Sequence, residues 1–183
     1  MNLSKLTKTF KNFHLAVRLY LSYLVVSLVI WCVNKSALGT QVAESIGEFS
    51  STFEPVITYR SSFSLIFLKS FAITLAVYIV ILVIQGILNR KIGGVLYLVL
   101  AVLVGLAAGT GFGGGLFSYL WGNSWLIILL GQIEWLGGAL LVSSVPSFKD
   151  LKKKESFLGV LLIALAAFGG AWVLFATPRM ILM

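Results

Sequence analysis

The chain has 183 residues, of which 59% are apolar or aromatic and only 11% charged, with a mean hydropathy of +1.01. Soluble domains carry about 25% charged residues, so too little polar surface exists to cover a water-facing globule, and the composition predicts an all-α integral membrane protein. The net charge of +8 would point to nucleic acid in a soluble protein. Here no soluble segment is long enough to fold alone, so no nucleic-acid partner is expected and the lipid bilayer is the first partner.

Residues 1–14 place Leu3, Leu6, Phe10 and Phe13 at spacings of three and four, with Lys5, Lys8 and Lys11 between them. That pattern predicts a short basic amphipathic helix on an anionic cytoplasmic leaflet, or a charged tail that only sets topology. No small-x-small cleavage site follows the apolar run, which argues against a signal peptide. Residues 15–33 form the first predicted span, with Arg18 at its inner end. Residues 34–61 hold Glu44, Glu48, Glu54 and Pro55 and read as a solvated extracytoplasmic loop. Asn34-Lys35-Ser36 matches a glycosylation triplet, but lies too close to the membrane to carry weight.

Residues 62–88 are apolar except for Lys69. At ~1.5 Å per residue the run is ~40 Å long, more than a ~30 Å hydrocarbon core requires. Asn89-Arg90-Lys91 and Gly93-Gly94 predict a tight basic turn before a short third span at 95–110. The uncharged, glycine-rich stretch 109–125 reads as a loop, a re-entrant segment or a short sixth element. A fourth span is predicted at 125–142, a second basic loop at 143–156 and a fifth span at 157–176, with Pro178 and Arg179 beyond it. The expected domain is therefore a five-helix transmembrane unit over 15–176.

The charges test this layout. With the N-terminus inside, Lys5, Lys8, Lys11, Arg18, Arg90, Lys91, Lys149, Lys152, Lys153 and Lys154 are cytoplasmic, and only Lys35, Arg60 and Arg179 are outside. The asymmetry obeys the positive-inside rule, and the reverse topology would invert it. Trp31, Tyr59, Tyr119, Trp121 and Trp125 fall near the predicted outer ends, as an interfacial aromatic belt does.

Few residues could carry chemistry. One cysteine, Cys32, and one histidine, His14, give neither an intrachain disulfide nor a His/Cys metal cluster. No nucleophile elbow, paired carboxylates or ligand set is visible, so no enzyme, metal or cofactor is expected. Gly109, Gly111 and Gly114 match G-x-G-x-x-G, but that motif needs a strand before it and a parallel sheet around it. Close helix packing is the better reading, with Gly105, Gly109, Gly111 and Gly115 on paired faces. Glu134 is the most informative residue. It lies about ten residues into the fourth span, ~15 Å deep, where an unpaired carboxylate is expensive. Lys69 is the basic residue at comparable depth and the expected partner of an intramembrane polar pair, with Gln132 or Gln85 as further hydrogen-bond partners. Glu134 is then either a site for a proton, ion or polar substrate, or a structural tie between helices.

The order of these features resembles the stage II sporulation protein M family of integral membrane proteins. The resemblance rests on the turn Leu88-Asn89-Arg90-Lys91-Ile92-Gly93-Gly94, the glycine-rich stretch, and Gly131-Gln132-Ile133-Glu134 followed by Gly137, Gly138 and Ala139. Family members often show His-Gly-x-x-Glu at that place. Here Leu130 stands where the histidine would be, so a His–Glu pair is not implied. The resemblance implies a membrane-embedded partner or permease-like subunit, and with no catalytic set visible the expectation is a non-enzymatic multi-pass subunit of a prokaryotic plasma membrane that assembles with partner membrane proteins or with its own copies. The alternative is a small transporter or channel subunit with Glu134 in the pathway.

Overall fold

The computed structural model describes residues 3–34, 62–108, 125–144 and 154–180. Within them the chain forms five helices: α1 Leu3–Asn34, α2 Phe63–Ile87, α3 Arg90–Ala108, α4 Trp125–Ser144 and α5 Lys154–Met180. In three of these a stretch is long and apolar enough to cross a membrane, namely Leu15–Asn34, Phe63–Ile87 and Glu155–Val173. The apolar stretches of the other two, Lys91–Leu106 and Ile128–Ser144, are shorter. The expected extracytoplasmic loop, the glycine-rich stretch and Gly109, Gly111 and Gly115 lie outside the described residues.

Helix boundaries differ from the sequence reading in three places. The basic segment is not a separate element, because α1 runs unbroken from Leu3 to Asn34. The turn between α2 and α3 is shorter than expected. Leu88 N–H still donates to the Ile84 carbonyl (2.9 Å), and Asn89 immediately starts the next helix. Its Oδ1 accepts from Lys91 N–H (3.2 Å) and its carbonyl accepts from Ile92 N–H (3.0 Å). An asparagine cap satisfies orphan amides at a helix start, so Arg90 through Gly94 are helical rather than turn. Finally, α5 continues through Pro178 to Met180.

Neighbouring contacts fix the directions. Tyr78 faces Gly138, and Gln85 Nε2 donates to the Val142 carbonyl (3.2 Å), so α2 and α4 run the same way. Leu130 packs on Gly169, and Ser144 bonds Ser156 (3.0 Å), so α4 and α5 run oppositely. Ile30 packs on Gly105 and Leu19 on Gly94, so α1 and α3 are parallel. The five helices alternate in direction along the chain.

At the centre is α4, which packs against each of the other four helices. From Leu130 to Ser144 nearly every residue is buried. The closest seam is between α4 and α5. A Cβ built on Gly137 would stand 2.8 Å from the Gly159 carbonyl oxygen, and one on Gly159 would stand 2.8 Å from that of Gly137. Only glycine allows two backbones this close, which is how small residues drive helix association in lipid. The outer helices bury one stripe each. On α1 it is Ala16, Tyr23, Ser27 and Ile30, spaced seven, four and three apart, as on a helix with one inward seam. Their other faces expose Leu21, Val25, Val29, Leu68, Val80, Leu103 and Leu165. So much exposed apolar surface marks a membrane or protein contact.

Candidate functional site: a buried polar centre around Glu134

The unusual chemistry of the chain gathers on α4. Glu134 is 1% exposed. Three tyrosines from three different helices lie within electrostatic reach of it: Tyr23 of α1, Tyr78 of α2 and Tyr97 of α3. All three are as buried as Glu134 or more so. A buried tyrosine usually finds a partner for its hydroxyl, and two of the three have one among the described residues. Tyr97 donates to the Trp135 carbonyl oxygen at 2.7 Å, using that oxygen's second lone pair. Tyr23 accepts from Gln132 Nε2 at 3.1 Å and also hydrogen-bonds Ser27. Tyr20 completes the clasp by donating to Gln132 Oε1 at 3.2 Å. The Gln132 amide is thereby held by two tyrosines one turn apart on α1.

Trp135 fills the space beside this network. Tyr23 stacks on it (ring centroids 4.8 Å apart) and Tyr97 meets it edge-on (5.3 Å). Each such pair contributes ~0.5–1.5 kcal/mol beyond its buried area. The box ties α1 and α3 to α4 through both rings and hydrogen bonds.

On the other side, α2 presents an inward stripe of Ser70, Thr74, Tyr78 and Gln85. The register set by Tyr78 at Gly138 and Gln85 at Val142 puts the Thr74–Tyr78 turn level with Glu134. Lys69 is half-buried and precedes that turn on α2 by about 7–14 Å along the helix axis at ~1.5 Å per residue, an offset that a lysine stem covers in part. The Ser70 and Tyr78 hydroxyls have no hydrogen-bond partner among the described residues. Glycine makes room for the bulky members of the stripe. The Tyr78 ring occupies the place a Gly138 side chain would take, and the Gln85 amide occupies that of Gly93.

The sequence-predicted residues are therefore distributed as follows. Glu134 is buried, Lys69 is half-buried in the first third of α2, Gln132 hydrogen-bonds Tyr20 and Tyr23 of α1, and Gln85 donates to the Val142 carbonyl. Gly105 sits against Ile30, with a Cβ position 3.1 Å from Ile30 Cδ1, and its carbonyl accepts from Asn34 Nδ2 (3.1 Å). The sequence reading missed Tyr20, Tyr23, Tyr78, Tyr97 and Trp135. A signal existed: tyrosine belongs at the interfaces of a span, and four of these aromatic residues occur well inside one. It also missed Gly137–Gly159, because the two glycines lie in different spans.

Among the described residues no group of three or more His, Cys, Asp or Glu could hold a metal ion. Among the described residues, one cavity lies at Leu126, Leu130 and Trp172 and another at Leu19, Asn89 and Lys91, and Glu134 lines neither of these. No protein-family model, curated protein or solved structure matches the chain.

Proposed function

We propose that the chain is a five-span, non-enzymatic subunit of a prokaryotic plasma membrane, with its N-terminus in the cytoplasm, and that it works by assembling with partner membrane proteins or with further copies of itself. The observation that carries this reading is the enclosure of Glu134. Around it stand Tyr23 of α1, Tyr78 of α2, Tyr97 of α3 and, on its own helix, Trp135, and it lines neither of the cavities named above. Such a centre suits a tie that fixes five helices in one arrangement, since each buried polar partner penalises alternative packings. The alternation of helix directions supports five traverses. Arg18 and Lys91 flank the bundle end that the charge asymmetry assigns to the cytoplasm. The role also agrees with the resemblance to the stage II sporulation protein M family.

A second reading, a small transporter with Glu134 in its pathway, draws on the α2 stripe. Ser70, Thr74 and Tyr78 line up at intervals of four on the inward face of α2, and two of their hydroxyls lack a described partner. Glu134→Gln separates the two. In a subunit held together by this centre, the substitution leaves ion and proton flux into proteoliposomes at the background of empty vesicles while altering thermal stability or assembly size. Flux in the native chain that Glu134→Gln abolishes would replace the first reading with the second. Topology is tested independently by one-sided thiol labelling of single cysteines at Lys152 and Glu48 in a Cys32→Ser background. Labelling of position 152 from outside intact cells would reject the arrangement.

A further inference from the structure

At the bundle end assigned to the cytoplasm, α1, α3 and α4 diverge around a cavity of ≈ 510 Å³. Its walls are apolar, made by Leu15 and Leu19 of α1 and Val142 of α4, with Gly94 of α3 as a floor without a side chain. Its polar lining consists of Asn89, Lys91 and Ser143. These three are not equivalent. Ser143 Oγ already donates to the Ala139 carbonyl at 2.7 Å. Asn89 has its Oδ1 turned to Lys91 N–H, which leaves the amide nitrogen with N–H donors only. Lys91 is exposed and offers an ammonium, which is also a donor only. A mouth of donors and positive charge takes an acceptor with negative charge. Among the described residues no carboxylate lines the cavity, so none of them would pair with the cationic headgroup of a zwitterionic lipid.

From this we propose that the cavity binds an anionic phospholipid. Its phosphodiester sits at Lys91 and the Asn89 amide, and one acyl chain lies along Leu15, Leu19 and Val142 over Gly94. The occupant is a lipid rather than a free anion because the apolar walls would be left uncovered by phosphate alone. The surrounding charge is net positive: Arg18 is exposed on α1 between Leu15 and Leu19, and the stretch after Ser143 carries Lys149, Lys152, Lys153 and Lys154 against Asp150 and Glu155. Basic residues at a cytoplasmic membrane surface attract anionic headgroups in this way. The site rests on the reading of the chain as a membrane protein.

Gly94 makes the site testable. A Cβ there would meet only Leu19 Cδ1, at 3.6 Å, an ordinary contact. A larger side chain can therefore grow into the cavity without forcing helices apart. The full-length chain in mild detergent is supplied with equal amounts of 1-palmitoyl-2-oleoyl phosphatidylglycerol and phosphatidylcholine, and retained lipid is counted by native mass spectrometry. The native chain should retain phosphatidylglycerol preferentially, Lys91→Ala should lower that retention about fivefold, Lys91→Arg should restore it, and Gly94→Leu should remove it. Inorganic phosphate at the same concentration should not compete. Equal retention of the two lipids by the native chain, or unchanged preference in Lys91→Ala, overturns the proposal; so does competition by phosphate, which would make this a free-anion site. Should Gly94→Leu fail to match the native melting temperature in phosphatidylcholine, the two Lys91 variants decide alone. A chain that inserts with the labelled topology yet shows no lipid preference removes this site and leaves the membrane reading intact.

Discussion

Helices α1 and α4 look alike as sequences and occupy opposite environments. From Leu15 onward α1 is predominantly apolar, as α4 is throughout, with no continuous polar side to mark an exterior. Yet α4 is buried on nearly all sides from Leu130 onward, whereas the Leu15–Asn34 part of α1 buries little more than Ala16, Tyr23, Ser27 and Ile30. The difference is side-chain size. The stretch Gly131 to Ser144 contains three glycines, one alanine and two serines, and these small residues let α5 and the Tyr78 ring approach the backbone. On α1 the positions between the buried ones hold branched residues such as Leu21, Val25 and Val29, which suit lipid tails and keep other helices at a distance. In a bilayer, hydrophobicity does not sort helices into inside and outside, because lipid is as apolar as leucine. Close packing and polar partners do.

If that is the rule, the largest effect comes from filling the α4–α5 seam. Gly137→Leu must displace the backbone at Gly159 as well as Leu162 and Ile163. It should destabilise the chain by about 3 kcal/mol or more, seen as a large drop in the melting temperature in detergent. Gly86 is the control, since nothing lies within 4 Å of its Cβ position. Gly86→Ala should leave stability unchanged or raise it by up to about 1 kcal/mol, from helix propensity. Equal effects at the two glycines would break the comparison.

Next in size is the charge at the centre. Glu134→Ala removes a buried carboxylate from among Tyr23, Tyr78 and Tyr97 and opens a void, and should cost about 2–3 kcal/mol. Lys69→Ala lies further out on α2 and should cost less than half as much. A double-mutant cycle in detergent measures their coupling. A coupling near zero would assign Glu134 to partners other than Lys69.

The smallest and sharpest contrast is between two buried tyrosines. Tyr97→Phe deletes the hydroxyl that bonds the Trp135 carbonyl and should cost about 1 kcal/mol. Tyr78→Phe deletes a hydroxyl with no described hydrogen-bond partner and should be neutral or mildly stabilising, because a buried polar group without a bond carries a desolvation cost. A Tyr78→Phe loss equal to that of Tyr97→Phe would show that the Tyr78 hydroxyl has a partner such as water, and would strengthen the transporter reading.

Much of this was open to the sequence alone, and the rest was not, for one physical reason. Hydropathy, charge and chain length are properties of residues taken one at a time or in windows. They determined that the chain is helical and apolar enough for lipid, where its helices fall to within a few residues, and that Glu134 is an expensive residue requiring an enclosed place. Even the α2–α3 turn was visible, although the capping geometry of Asn89 made it shorter than its glycines indicated. What tertiary structure alone decided is which residues meet. Gly137 finds Gly159, Tyr78 fits over Gly138, and Tyr20 and Tyr23 grip Gln132 more than a hundred positions away. Each of these contacts depends on the fit between two surfaces that are far apart in sequence. In a solvent that gives helices no preference for the interior, that fit alone selects the central helix.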